Sequence, residues 1–438
     1  MKTRQPWLEA DVLVVGAGAA GIPAAIGAAR AGAKVILLDD DAVPGGAAVD
    51  QYVSMPDGGP RSGVSLEMIR RLEAAYALTC RPPDMWWYFW YLPSDMLRVA
   101  REFIAAEHNI TLLCSARASR LTVENRGGRP CITGAIVPDI MGTERWIRAA
   151  VTIEATGDGA LAEASGCEAR YGEDARCDFG EAPAPEQRSA TVQLCTWMYV
   201  SQRIASRPAA DPSFVARGCE SGGFGAPPAN GDTTPWRERN AGIYLHWGCC
   251  VECRDTRDPI ALAEAQTQAL GIMQPDLDRL HANGYATYLA PRIGVRESRR
   301  IMGEYVITAN DLIEGRIPED SVLITQRPID LWSRSKSNSE YPQTKAYGIS
   351  YRALVPRNVD GLLVAGKHMS GTHLSMASYR VQALLGQIGQ AAGVAAAFCA
   401  AHGAEPRNLV FSDIKSQLLA PPQGLVISSD PAWITPPH

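Results

Sequence analysis

No block of like charge occurs in this sequence: 42 lysines and arginines and 47 aspartates and glutamates are dispersed over 438 residues, for a net charge of −5. Without a basic face or arm, neither nucleic acid nor an anionic membrane is the expected partner, and small molecules are. Residues Met1 to Ala10 contain no apolar stretch of the secretory kind, so a cytoplasmic location is expected. The eleven cysteines form no even framework, and reduced thiols are expected. One cluster, Cys249-Cys250-Val-Glu-Cys253, has no second pair at zinc spacing, so no metal site is predicted, and a structural role for Cys250 and Cys253 is preferred to a redox one. Charge is also missing from Leu384 to Ala401, but Gln387, Gln390 and many glycines and alanines fit a buried helix better than a membrane span. No repeat is visible.

What is present is ample apolar material, 46% of residues, enough for a large core and two lobes. Near the start, Asp11-Val-Leu-Val-Val-Gly16-Ala-Gly18-Ala19-Ala20-Gly21 runs an apolar strand directly into a helix. The first glycine permits the tight turn, the second lets backbone approach a pyrophosphate, and the third lets helix pack closely on strand. A small-residue helix from Ile22 to Ala31 follows, then the strand Lys34 to Leu38 ending in Asp39, an acid placed to accept ribose hydroxyls. Gly45 and Gly46 come next, and much later Val151-Thr-Ile-Glu-Ala-Thr156 ends in Gly157-Asp158-Gly159. That pairing points to FAD rather than NAD. Gly361 to His368 reads as a last short strand, and the small residues of the following helix, Tyr379 to Gly393, are expected to make room for the bulky cofactor.

These pieces, with Gly294-Val-Arg-Glu-Ser-Arg-Arg-Ile-Met-Gly-Glu-Tyr305 and Tyr351-Arg-Ala-Leu-Val-Pro356, resemble the FAD-dependent oxidoreductases of the FAD_oxidored type, distant relatives of the fumarate reductase and succinate dehydrogenase flavoproteins. The resemblance spans residues 10 to 400. It implies an α/β fold, with a Rossmann-like FAD-binding domain carrying a β-meander insert and a second α+β lobe over the flavin. The expected division is 1–180 and 346–415 for the FAD-binding domain, 181–345 for the cap, and 416–438 for a C-terminal surface extension. Expected FAD contacts are Gly16, Gly18, Ala19, Ala20, Gly21, Asp39, Asp40, Gly45, Gly46, Ala118, Thr156, Gly157, Asp158, Gly366, Arg380, Gln382 and Gly386.

Local signals place helices over 66–80 and from Pro93 to His108, the latter with Ser94 as N-cap, and four strands at 111–116, 119–124, 131–137 and 146–154 that read as the meander. Another helix begins with Asp258 as cap and Pro259 at its first position.

Flavin chemistry needs a substrate C–H over the ring and a group for the accompanying proton. Arg296, Glu297, Arg299 and Arg300, four charges in five positions beside apolar Ile293 and Val295, are the best candidate cluster; its members either act on substrate or build an interlobe network in which Glu297 pairs with Arg300. His373 lies between the last strand and the flavin-facing helix, as an active-site or a loop-bracing residue. His246, in a strand, is the weaker candidate. Met85 to Tyr91 contains six consecutive aromatics, readable as a substrate wall or as core or dimer packing. No second GxGxxG occurs and no cysteine precedes Cys80, which disfavours an NAD(P)H site and a flavin disulfide mechanism. The expected activity is two-electron oxidation or reduction of a small organic substrate by hydride exchange with flavin N5. Oxygen, a quinone-like compound or a carrier protein is the expected acceptor, and a homo-oligomer is compatible with the reading. A flavin monooxygenase and a nonredox flavin protein are the alternatives.

Overall fold

The computed structural model describes residues 7–56, 62–76, 90–211, 213–214, 216, 243–333, 340–430 and 433. Its centre is a seven-stranded sheet in the order β3 (Ile110–Leu113), β2 (Val35–Leu38), β1 (Leu8–Val15), β6 (Glu144–Glu154), β5 (Arg129–Pro138), β4 (Arg120–Arg126), with β14 (Leu362–Val364) also paired to β6. The strands β3, β2, β1, the second half of β6 and β14 are mutually parallel. β2 and β14 are apolar and buried along their whole length, as strands covered on both faces must be. Because these strands run the same way, Gly16, Asp39, Ala155 and Ala365 all emerge at one edge, the carboxyl edge where open α/β sheets bind ligands.

The meander is shorter than expected. It has three antiparallel strands, β4, β5 and β6, because the first of the four expected runs, β3, pairs with β2 in parallel instead. The helix Pro93–Ala106 starts on Leu92 with Pro93 at its first position, so Ser94 is not its cap. Asp258 does cap Pro259–Ala282, its carboxylate accepting the Ile260 amide.

A second layer is built by β8 (Cys195–Arg203), β9 (Ile243–Val251) and β10 (Tyr285–Leu289), antiparallel with β8 central, backed by the helix Pro259–Ala282. Two short ladders, β7 (Ala169–Arg170) with β11 (Arg300–Ile301) and β12 (Ser321–Thr325) with β13 (Tyr347–Ser350), connect the layers.

The uncharged helix Gln382–His402 is long and apolar enough to cross a membrane, but 89% of its most apolar stretch is buried inside the protein. Its glycines are explained by another helix. A Cβ on Gly389 would lie 2.1 Å from the Ala20 carbonyl oxygen, and one on Gly393 would lie 2.0 Å from that of Ala24. The small residues therefore let this helix seat on Gly21–Arg30, and the expectation that they clear space for a cofactor is corrected. The tail is corrected too. Gln423 and Leu425 are buried, and Gln423 donates to the Gly27 carbonyl and accepts from Gln390, so residues 423–425 are docked on the FAD-binding domain and are not part of a surface extension.

Candidate active site

A cavity of about 1500 Å³ opens at the carboxyl edge of the parallel sheet and continues to the second layer. Ordinary small-ligand pockets span about 300–1000 Å³, so this one has room for a dinucleotide and a further small molecule. Gly16, Gly18, Ala19, Ala20, Asp39, Asp40, Gly46, Ala118, Thr156, Gly157, Asp158, Gly366, Arg380 and Gln382 all line it. Three of the expected contacts do not. Gly21 is buried against the turn, where a Cβ would fall 1.7 Å from the Gly16 oxygen. Gly45 braces the turn by donating its amide to the Ala17 carbonyl at 2.8 Å. Gly386 faces Ser65 and Ala19, where a Cβ would meet the Ser65 hydroxyl at 1.8 Å.

The turn itself is a bare backbone cradle. Gly16 has φ +106° and sits so close to Ala155 that a Cβ would be 2.6 Å from its oxygen. Gly46 lies against Gly18, with the site of its missing Cβ 2.8 Å from the Gly18 Cα. Asp39 accepts the Ala17 amide and, at 2.8 Å, the Asp41 amide, which ties the end of β2 to the turn. Burial pushes its pKa up to about 6. Asp50, which sequence reasoning missed, lines the same end, and its pKa is also pushed up to about 6 by burial and by Asp41. One Asp50 carboxylate oxygen is buried without a hydrogen-bond partner. Arg292 holds this acidic corner together, 2.6 Å from Asp41 and 3.7 Å from Asp50. The chemistry fits the ribose end of a dinucleotide: acceptors for hydroxyls beside a turn whose amides suit phosphates.

Across from that turn, the loop Thr156 to Asp158 is fixed from beneath. The fully buried Glu154 accepts the Thr156 amide at 3.0 Å and the Thr156 hydroxyl, and it lies 3.0 Å from the equally buried His368. Burial alone would raise the Glu154 pKa, but His368 and these hydrogen bonds hold it below the usual carboxylate range. Lys367, also missed, lines the cavity with its ammonium 3.0 Å from where a Gly157 Cβ would stand. Burial pushes its pKa down, and no carboxylate among the described residues is within ion-pair distance. Asp158, Asp50 and Glu154 act on its charge from farther off, and a cation beside the Gly157 loop with no ion pair suits a diphosphate.

At the far end the wall is Arg296, Trp332, Trp247, Met198, Met55 and Thr196. Arg296 donates through one terminal nitrogen to the Leu194 carbonyl and the Thr196 hydroxyl, each at 2.6 Å, and its guanidinium lies 4.2 Å from the Trp332 ring centre. Burial pushes its pKa down.

The other three expected catalytic residues do not line this cavity. Glu297 is fully buried, accepting from Arg300 at 2.7 Å and the Gln193 amide at 3.1 Å. His373 opens the short helix His373–Tyr379, with its ring nitrogen 2.8 Å from Glu297 and its amide donating to Asp174. Arg300, with no exposure, also reaches Asp174 at 3.0 Å and the Gly172 and Gly371 carbonyls. Burial would raise the Glu297 pKa, yet His373 and Arg300 hold it low. These groups form a buried clamp that fixes the segment carrying Arg296. His246 is 2.7 Å from the Ser201 hydroxyl and stacked on Tyr199, and burial pushes its pKa down to about 4. It is a satisfied residue of the β8–β9 pair.

Cys253 hydrogen-bonds Cys195 rather than Cys250, which brings its pKa down to about 7. Cys250 sits 3.2 Å from the Thr196 hydroxyl. Of the aromatic run, 85–89 lie outside the described residues, while Trp90 packs in a cluster with Met55 and Met198 behind the cavity wall.

The sequence profile of the FAD dependent oxidoreductase family matches residues 11–418. A stretch of 40 residues, 9% of this chain, is 55% identical to the sarcosine oxidase subunit alpha of Rhizobium meliloti (strain 1021), and it spans 4% of that protein's length. Among solved structures, Mycobacterium smegmatis Sdh1 in its apo form aligns with TM-score 0.41 and 14% identity over 94% of this chain and 73% of the other. The geranylgeranyl bacteriochlorophyll reductase-like protein Ta0516 of Thermoplasma acidophilum aligns with TM-score 0.42 and 11% identity over 94% and 83%.

Proposed function

The chain belongs to the FAD dependent oxidoreductase family, and we propose that it exchanges a hydride between FAD and a small organic substrate held against the Arg296–Trp332 wall. The observation that carries this reading is the continuity of one cavity from the Gly16 turn to Arg296. FAD, when bound, supplies the two-electron carrier. Gly16, Gly18 and Gly46 give its diphosphate a backbone approach, Lys367 faces it with a positive charge, and Asp39 and Asp50 offer acceptors to its sugar hydroxyls.

Arg296 orients the substrate. Its guanidinium is held by Leu194, Thr196 and Trp332, so an arriving group meets a fixed fork rather than a mobile side chain. Glu297, Arg300 and His373 are positioning residues in this reading, because they lock the backbone on which Arg296 stands. The described part of the second layer, β8 to β10, would cover the substrate end of the cavity and keep water from the reacting carbon. Oxygen, a quinone-like compound or a carrier protein accepts the electrons, and the enzyme works in the cytoplasm.

The test is anaerobic mixing of the FAD-loaded protein with pooled metabolites, followed by loss of flavin absorbance. A metabolite that bleaches the flavin stoichiometrically supports the reading. Fast, saturable bleaching by NADPH, with no metabolite acting, would replace it with the monooxygenase or reductase alternative.

A further inference from the structure

Arg296 makes no ion pair among the described residues, although Asp330 is near enough to act on its charge. No carboxylate of the described residues lies within ion-pair distance of it, whereas Arg300, four positions on, meets both Glu297 and Asp174. The acceptors that Arg296 does have, the Leu194 carbonyl, the Thr196 hydroxyl and the Cys250 sulfur, include no carboxylate. Asp330, on the same wall, is engaged elsewhere, 3.2 Å from the Trp332 indole nitrogen and 3.4 Å from Arg380. Holding a charge in a recessed wall with no directly paired anion is costly unless an anion arrives to meet it.

The surroundings specify what kind of anion. One face of the guanidinium is covered by Trp332, so further hydrogen bonds leave through its edge, in the plane where a carboxylate binds with two oxygens. Trp332 is itself stacked on Trp247, with centroids 5.7 Å apart and planes 20° from parallel. Beside this slab the cavity is lined by Met55, Met198 and Ile329, soft apolar groups that adapt to a flat surface. The end of the aromatic run lies directly behind, where Trp90 packs with Met55 and Met198 and stiffens the floor.

We propose that the substrate is a carboxylate carried on a flat, apolar body, with its anion on the edge of Arg296 and its body between the tryptophan stack and the methionines. This rests on the reading above that the cavity is the substrate site of a flavin enzyme.

Three probes test it on the FAD-loaded protein: benzoate, its uncharged isostere benzamide, and acetate, which has the charge without the body. Each is titrated while the visible flavin spectrum is recorded, and heats are measured in parallel by calorimetry. Benzoate should perturb the spectrum saturably and bind at least tenfold tighter than either other probe. Arg296→Met should weaken benzoate tenfold or more and leave benzamide within twofold. Should that variant fail to fold, Arg296→Lys keeps the charge but loses the fork and the stacking, and should still weaken benzoate several-fold. Trp332→Leu should weaken benzoate and leave acetate unchanged. Benzamide binding as well as benzoate would overturn the anion assignment, and acetate binding as well as benzoate would overturn the flat body. Protein that purifies folded but takes up no FAD would sink the enzymatic reading separately, since calorimetry still reports whether benzoate prefers Arg296 over the Met variant.

Discussion

Asp39→Asn is the sharpest probe of the nucleotide end. The carboxylate is buried and its pKa stands at about 6 instead of the ordinary 3.8. An acid whose pKa is raised in the folded chain holds its proton more tightly there, so the FAD-free protein gains stability as pH falls from about 6 toward 4 and lacks it above. That difference is worth about 3 kcal/mol at most. FAD reverses the sign, because sugar hydroxyls donate to the ionised form and draw the pKa back down. FAD affinity should therefore be flat above pH 7 and fall below pH 6 by up to about tenfold per pH unit. Asp39→Asn should flatten that profile and weaken FAD at pH 7.5 by about 1–3 kcal/mol, roughly 5- to 150-fold in Kd. Free and bound flavin are distinguished by fluorescence after equilibrium dialysis. Asp50 titrates in the same range, so Asp50→Asn is measured beside it. An Asp39→Asn protein with wild-type affinity and an unchanged pH profile would refute the reasoning.

Gly18→Val should give a folded but colourless protein: the nearest atom to a Gly18 Cβ is the Gly46 Cα at 3.8 Å, so the side chain fits the protein and fills only the cofactor's approach; normal melting with full flavin content would contradict this. Arg300→Met leaves Glu297 to His373 and Asp174 to Arg170 but removes the buried cation the two acids share, a loss of about 3 kcal/mol that should appear as a lower Tm and reduced flavin retention. Arg296→Lys should keep FAD and Tm while lowering kcat/KM about 10²-fold, roughly 2.7 kcal/mol of transition-state stabilisation, once a substrate is in hand; an unchanged rate per flavin would remove Arg296 from the substrate site.

The glycine turn was legible in the sequence because its requirements are local: each glycine answers to an atom within the same strand-turn-helix unit or its immediate neighbour. The helix Gln382–His402 was misread for the opposite reason. Glycine at close spacing says that something approaches, not whether it is a cofactor or the Gly21–Arg30 helix, which lies hundreds of positions earlier. Glu297 and His373 carried the right chemistry for catalysis but are bound to each other, and only tertiary structure reveals that Arg300 and Asp174 complete their set. Lys367 and Asp50 had weak signals. Lys367 stands inside the piece Gly361 to His368, which reads as strand only, and Asp50 comes four residues after Gly46, so neither carried a chemical signal of its own. Nothing in the sequence after residue 420 marks Gln423 as the group that ties residues 423–425 to two helices, because its partners Gly27 and Gln390 are brought to it only by the tertiary fold.

The pairing of β14 with β6 has a consequence for how the chain is made. Thr152 lies beside Leu362, and the Gly21–Arg30 helix is covered by Gln382–His402, so residues up to about 150 leave the ribosome with an open sheet edge and an apolar helix face that have no cover until roughly 200 further residues have emerged. Such long-range closure is slow. Until it happens the nascent protein exposes the surfaces most prone to wrong pairing, so truncation before residue 380 should produce aggregate rather than a smaller folded unit, and holdase chaperones acting on the growing chain should raise the yield of yellow protein.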